Sequence, residues 1–356
     1  MAHESSSEAR RAMFARPQGP GRRSAVRTLL ILAVVGCLAA GAEARTVVKM
    51  ATLVPEGSVW DQILREMGEQ WRSETDGEVS LRLYPGGVAG DEPDIVRKMR
   101  VGQLQAAALS VAGLTAIDRS FEIFEIPMFF DSYGELHHVL DTLRPEFEKR
   151  LEAKGYVLLS WGNGGWVHLF SKAPIATVDD LRQQKIFSWA GNEAMSELWR
   201  KNNFQAVSLA ATDILTSLQT GIVEVVPTTP LAALSLQWFR QTPHMQDLGL
   251  APLVGATVIS NRAWKRLDEP TRKAVLAAAR SSEDRLRREI AVEDAKAVEQ
   301  MRARGLTVTE VDAATRAQWS EVAEIFARFR RENMEDRALL DRVQAVRDEF
   351  RVSSGE

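Results

Sequence analysis

The stretch K-I-F-S-W-A-G-N (Lys185 to Asn192), continuing through the amphipathic run T-D-I-L-T-S-L-Q-T-G (Thr212 to Gly221) to E-V-V-P-T-T-P-L (Glu224 to Leu231), decides the fold. It reads as strand, helix, short helix, strand. Each strand ends in a polar turn punctuated by Gly or Pro, and an open α/β sheet places its ligand just beyond the carboxyl ends of its strands. The stretch is therefore read as one wall of a binding cleft.

Outward from that wall the alternation repeats. T-V-V-K-M-A-T-L (Thr46 to Leu53) is a buried strand ending at Pro55-Glu56-Gly57. Ser58 then caps a helix carrying Trp60, Ile63, Leu64, Met67 and Trp71 on one face. Val79 to Leu83 and Gln105 to Val111 are further strands, the second leaving Ser110 at its end, and Asp91 caps the helix between them. Such succession argues for a mostly parallel sheet covered on both faces. F-E-I-F-E-I-P-M-F-F (Phe121 to Phe130) reads as a buried crossing segment, and Tyr133 to Lys154 as one helix. On it His137 and His138 are adjacent, so they point about 100° apart and share no metal; they are read as surface histidines. Y-V-L-L-S-W-G-N-G-G-W-V-H-L-F-S (Tyr156 to Ser171) reads as two strand-like runs joined by Gly162-Asn163-Gly164-Gly165, whose glycines suit a hinge. An apolar helix from Leu231 to Arg240, a returning strand from Leu253 to Ser260, and a helix from about Pro270 to Arg304 follow. That last helix would be roughly 50 Å long. A short edge strand at Leu306 to Val311 precedes a final helical segment with Trp319, Val322, Ile325, Phe326 and Phe329 at core spacing.

The N-terminus reads as a targeting segment. Arg10, Arg11, Arg16, Arg22, Arg23 and Arg27 precede an apolar run from Leu29 to Ala40 and a small-x-small site at Ala42-Glu43-Ala44, so residues 1–44 are expected to be removed on export to the periplasm. Arg22-Arg23 keeps a twin-arginine route open beside the general one. Cys37, the only cysteine, is either an apolar residue of the signal or the acylated first residue of a lipoprotein. With 45% apolar and 26% charged residues and a net charge of −3, the chain has no basic stripe for nucleic acid.

In order, L-Y-P-G-G-V-A-G-D-E (Leu83 to Glu92), R-K-M-R-V-G-Q-L-Q-A-A (Arg97 to Ala107), P-I-A-T-V-D-D-L-R-Q-Q-K-I (Pro174 to Ile186), S-L-Q-T-G-I-V-E (Ser217 to Glu224) and V-I-S-N-R-A-W-K-R-L (Val258 to Leu267) resemble the extracytoplasmic solute-binding proteins of tripartite ATP-independent periplasmic (TRAP) transporters. The resemblance implies an α/β fold of two lobes with strand crossings between them and a long bridging C-terminal helix. One lobe is expected over residues 45–163 and 254–293, the other over 164–253 and 294–350, with 351–356 a disordered tail. It implies no enzyme activity, no cofactor, a small-molecule ligand and delivery to TRAP membrane permease subunits. A homodimer through the C-terminal helices is an open alternative.

Members of that family hold organic acids chiefly with an arginine two residues after the lysine of the K-I motif, helped in some by another in the strand after the hinge. Here those positions are Phe187 and Trp166. Neither can supply the parallel hydrogen bonds an arginine fork gives a carboxylate. Arg182 and Arg200 lie nearby, but the resemblance does not place them in the pocket. The expected ligand-binding set is Phe187, Trp166, Trp189, Thr229, Ser110, Asp91, Trp60 and Thr52, an aromatic surface with a few small polar groups suited to an apolar or amphipathic ligand. Asp91 and Trp60 also have purely structural readings, as a helix cap and a core residue. Two other classes remain: a hydrolase built on His168 and Ser110, and a scaffold without ligand. No H-E-x-x-H, G-x-S-x-G, C-x-x-C or phosphate-loop pattern occurs to support the first. A cleft volume above a few hundred Å³ would favour binding over the second.

Overall fold

Alternating apolar residues put β1 (Thr46–Thr52) at the centre of the first half of the sheet, paired in parallel with β2 (Val79–Tyr84) and β3 (Ala106–Ser110). This computed structural model describes residues 45–190, 193–334 and 336–355. The expected export signal, its cleavage site, the twin-arginine pair and Cys37 fall outside the described residues.

Between β1 and β2 runs α1 (Val59–Glu74), started as expected by Ser58, whose hydroxyl accepts the Asp61 N–H; Ile63, Met67 and Trp71 on its inner face are buried. Asp91 likewise caps α2 (Glu92–Arg100). The segment expected as one helix is two, α3 (Tyr133–Thr142) and α4 (Arg144–Ala153), because Pro145 in the first turn of α4 cannot continue the preceding helix. His137 is not a surface residue either: it is half-buried and stacks on Tyr133 with ring centroids 6.1 Å apart.

One strand, β4 (Tyr156–Ser171), then spans the molecule. Its first part pairs antiparallel with β9 (Ala251–Ser260), and its last residues, His168 to Ser171, pair antiparallel with β7 (Val225–Thr228). The glycines expected to separate two runs instead lie within this strand, with register shifts between Leu158 and Ser160 and between Asn163 and Trp166. Gly162 stands opposite Gly255, where an added Cβ would meet the Gly255 backbone at 3.2 Å. Beyond β7 lie β5 (Lys185–Trp189) and β6 (Gln205–Leu209), giving the path β2-β1-β3-β9-β4-β7-β5-β6. The sheet is thus mixed rather than mostly parallel, because β9 runs against both β3 and β4. The two halves that β4 joins are the two lobes of an α/β protein. Two strands were missed in the sequence, β6 and β8 (His244–Gln246); β8 pairs with β4 and with the edge strand β10 (Thr307–Thr309).

After α5 (Glu193–Lys201), the long helix α6 (Glu269–Arg302) covers β4. Its 34 residues measure ~51 Å. Glu283 accepts the Trp161 N–H at 2.8 Å and Asp294 the Trp166 N–H at 3.1 Å. From 283 to 294 is ~16 Å of helix, and from 161 to 166 is ~16 Å of strand, so the two carboxylates step along helix and strand in register. Two helices close the chain, α7 (Ala313–Asn333) and α8 (Arg337–Ser354). The expected tail at 351–356 is helical through Ser354, held by Arg351, which pairs with Glu135 and Asp131. On α7 the expected core face is shifted: Trp319 and Phe326 are buried, while Ile325 is 38% exposed.

Candidate functional site

The carboxyl ends of β1, β3 and β5 converge with the β4 and β9 crossings on a cavity of about 650 Å³. That is mid-range for a site enclosing a drug-sized molecule, ~300–1,000 Å³. Of the eight residues expected in the site, Thr52, Trp60, Ser110, Phe187 and Trp189 line it. Phe187 sits in the middle of β5 with its ring edge-on to Trp189, centroids 5.3 Å apart, and it packs with Ile214, Leu218 and Trp238. Trp60 enters from the first turn of α1 and is fixed by a hydrogen bond from its indole N–H to the Asn163 carbonyl, 3.1 Å, so it is both packed and part of the wall.

Trp166, Thr229 and Asp91 do not line the cavity. The irregular register between Asn163 and Trp166 leaves Gly164 and Val167 on the cavity wall, while the Trp166 ring packs edge-on to Tyr133, centroids 5.3 Å apart. It lies against Gly249, where a Cβ would come within 2.3 Å of the indole. Thr229 is fully buried and caps the short helix Pro230–Ser235, and its neighbour Thr228 reaches the cavity instead. The Asp91 carboxylate is spent on the Glu92 N–H and, from across the cleft, on the Ala211 N–H.

The charged residues among the described lining are Glu92, Glu125 and Arg330. Glu92 accepts the Ser110 N–H and hydroxyl, each at 2.6 Å, and the Gly113 N–H at 2.7 Å. Burial nevertheless pushes its carboxyl up to about 7, with those hydrogen bonds opposing the shift. The Arg330 guanidinium is bound by Glu122 and Glu125, both on the segment read from sequence as a crossing. Arg182 and Arg200 stay outside the cavity: the first donates to Asp179 and the Asn202 carbonyl, the second to the Ser196 carbonyl. The sequence reading missed Glu92, Trp238 and the inner face of α7. For α7 the signal was present, since Trp319, Val322 and Phe326 share one helical face, but spacing does not tell a cavity wall from a core.

Nothing here assembles a hydrolase. His168 Nδ1 lies 3.0 Å from the Gln246 carbonyl, and the Ser110 hydroxyl donates to Glu92, so the two candidates are committed to different partners. No group of three or more His, Cys, Asp or Glu residues suited to a metal occurs among the described residues. None of the described helices is long and apolar enough to cross a membrane.

Two lobes enclosing an apolar cavity define a solute-binding protein. The family model of the bacterial extracellular solute-binding proteins, family 7 (DctP), matches residues 50–332, and the chain belongs to that family, the TRAP periplasmic solute-binding proteins. It is 25% identical over 262 residues to the C4-dicarboxylate-binding periplasmic protein DctP of Rhodobacter capsulatus, covering 72% of this chain and 77% of that one. It is also 25% identical over 200 residues to the uncharacterized protein YiiZ of Salmonella typhimurium, covering 55% of this chain and 60% of that relative. A crystal structure of a TRAP periplasmic solute-binding protein from Pseudomonas putida F1 with bound D-glucuronate shares the fold, with a TM-score of 0.76 at 20% identity over 84% of this chain and 97% of that one. The family is one of binding proteins, not enzymes.

Proposed function

We propose that this protein captures a largely apolar or amphipathic small molecule between its lobes and delivers it to the membrane permease of a TRAP transporter. Phe187, Trp189 and Trp60 supply the main contact surface, with Ser110 and Thr52 as orienting polar groups. The observation that carries this reading is the charge inventory of the cavity: its one arginine among the described lining residues is already held by two carboxylates, and Phe187 occupies the β5 position where the family resemblance implies the carboxylate-binding arginine. An organic acid placed against Phe187 would lose hydration without gaining a cation, at a cost of several kcal/mol. Burial of each aromatic against an apolar ligand contributes about 1.5–3 kcal/mol in the other direction. A relative named for C4-dicarboxylates and a fold neighbour holding glucuronate share the frame with this chain. The departure at Phe187 is why the reading separates its ligand from theirs.

On this reading the chain works in the periplasm after removal of residues 1–44, with an acylated Cys37 as the variant that would tether it. Calorimetry against a panel of short organic acids and of aromatic and isoprenoid compounds tests the ligand. Binding is expected from the apolar members and lost in Phe187→Arg. Micromolar binding of a small dicarboxylate, unaffected by Phe187→Ala, would overturn it.

A further inference from the structure

Ser160 on β4 and Thr257 on β9 stand directly opposite each other in the antiparallel pairing of these two strands. They end a row of small residues that crosses four hydrogen-bonded strands in register, Thr52, Ala108, Thr257 and Ser160, and all four line the cavity. Side chains alternate along a strand, so the next residues on the same face are Gly162 beyond Ser160 and Gly255 before Thr257, which again oppose each other and line the cavity. Lacking side chains, the two glycines leave the hydroxyls uncovered on that side. Ser160 is 3% exposed and Thr257 6%. Neither hydroxyl has a hydrogen-bond partner among the described residues, and neither is sealed off as the unpartnered hydroxyls of Thr115 and Ser120 are. The polar groups already placed in the site differ: the Ser110 hydroxyl donates to Glu92, and the Thr52 hydroxyl accepts the Val54 N–H at 3.1 Å. A hydroxyl withdrawn from bulk water without a partner is destabilising, so two of them side by side on a cavity wall are fitted to a group that enters the cavity.

Resting on the reading that the cavity takes a largely apolar ligand, we infer that Ser160 and Thr257 bind an uncharged oxygen of that ligand, so the ligand is a neutral ketone or alcohol on an apolar frame. Directly opposed residues of an antiparallel pair have Cβ atoms about 4.5–5.5 Å apart, which lets both hydroxyls reach one oxygen. Each hydroxyl donates one hydrogen and accepts at its lone pairs, so the pair donates twice to a carbonyl, or donates and accepts at an alcohol. Neither brings a charge. A carboxylate placed there would meet two donors and no free cation, because the arginine of the described lining, Arg330, is held by Glu122 and Glu125.

Four probes of nearly one shape test the inference by calorimetry: acetophenone, 1-phenylethanol, ethylbenzene and benzoate. Ser160→Ala combined with Thr257→Val removes both hydroxyls at little change of volume. Ethylbenzene offers them nothing, so the quantity to read is the affinity of each oxygen-bearing probe relative to ethylbenzene, compared between wild type and variant. That ratio is expected to fall at least fivefold in the double variant for acetophenone and for 1-phenylethanol, and benzoate is expected to bind wild type less tightly than acetophenone. Should the double variant fail to fold, Ser160→Ala and Thr257→Val are read singly, and each should lower the ratio. Equal ratios in wild type and variant would overturn the hydroxyl pair as a ligand site while ethylbenzene binding leaves the parent reading standing. Benzoate binding more tightly than the three neutral probes would overturn both. Absence of binding by all four would overturn the pair, and the aromatic and isoprenoid panel then judges the parent reading separately.

Discussion

The Asp91 carboxylate joins two walls of the cleft: one oxygen accepts the Glu92 N–H at the start of α2, and the other accepts the Ala211 N–H, 3.2 Å away, at the entry to the short helix Ile214–Thr220. Close by, Gly87 meets Thr212, and a Cβ at Gly87 would lie 3.0 Å from the threonine methyl. Asp91 belongs to the β1–β3 half of the sheet and Ala211 to the β5–β7 half, so this hydrogen bond spans the cleft.

Asp91→Asn separates the two roles. The amide oxygen still caps α2, while an NH2 group replaces the oxygen that receives Ala211. Stability is expected to change little. Ligand affinity should fall by about 1 kcal/mol, roughly fivefold, the typical worth of one hydrogen bond. Calorimetry beside a thermal melt checks it; equal affinity in the variant would show that the contact does not hold the closed form.

Asp294 makes stability depend on pH in an unusual direction. It is 8% exposed, and burial raises its carboxyl from 3.8 to about 7, only partly opposed by the Leu231 and Trp166 N–H groups; the Tyr133 hydroxyl is the titratable neighbour facing it. A folded-state value above the unfolded one means the folded chain holds the proton more tightly. The contribution is therefore complete below about 4 and is lost as pH rises through about 7. Glu92 acts in the same direction, from 4.5 to about 7. Denaturant unfolding is expected to show higher stability at pH 5 than at pH 8. Asp294→Asn should flatten that profile while lowering stability at pH 5, because the amide keeps only one acceptor for two backbone N–H groups. A profile of Asp294→Asn parallel to wild type would refute the assignment.

What the sequence showed was local. Caps such as Ser58 and Asp91, the strands β1 and β5, and the unbroken pattern of α6 each depend on neighbours within a turn or two, and all are found in the structure. What it hid depends on contacts distant in the chain. Gly162 looks like a turn residue until Gly255 is set against it, and only then is a continuous β4 apparent. The edge strand β6, short and paired only with β5, has no fully buried residue to announce it. Trp166 was expected in the site from its place in a motif. Register irregularity in β4 takes it to Tyr133 instead, and no spacing rule in one strand reveals a shift set by its partner.

The buried charges around Arg330 carry a stability prediction. Arg330 is 6% exposed and its two carboxylate partners are Glu122 and Glu125; Arg119 also reaches Glu122, at 3.1 Å. Removing only the arginine leaves Glu125 without its cation and Glu122 with Arg119 alone, in a largely buried site. Arg330→Ala is expected to cost about 3–5 kcal/mol, whereas Arg330→Met combined with Glu122→Gln and Glu125→Gln should recover most of that loss. Chemical denaturation of the single and triple variants checks this, and equal losses in both would show that packing rather than charge dominates.

Phe187 and Trp166 were expected to act as a pair, and their separation in the structure predicts that they respond differently to the same substitution. Phe187 points into the cavity beside Trp189, so Phe187→Arg puts a guanidinium where a ligand carboxylate can reach it, with the indole available to stack on the cation. Two charge-assisted hydrogen bonds, each about 1.5–3 kcal/mol, exceed the cost of holding one more long side chain in place. D-glucuronate, the molecule bound in the Pseudomonas putida fold neighbour, is therefore expected to bind Phe187→Arg at least tenfold more tightly than wild type, and apolar ligands to bind it less. Trp166→Arg places the same group between Tyr133 and Gly249, away from the cavity. It should gain no affinity for glucuronate and should lower the melting temperature by removing a packed indole. Calorimetry and thermal melts on both variants decide the matter, and a gain of acid binding in Trp166→Arg equal to that in Phe187→Arg would mean that both positions serve one site.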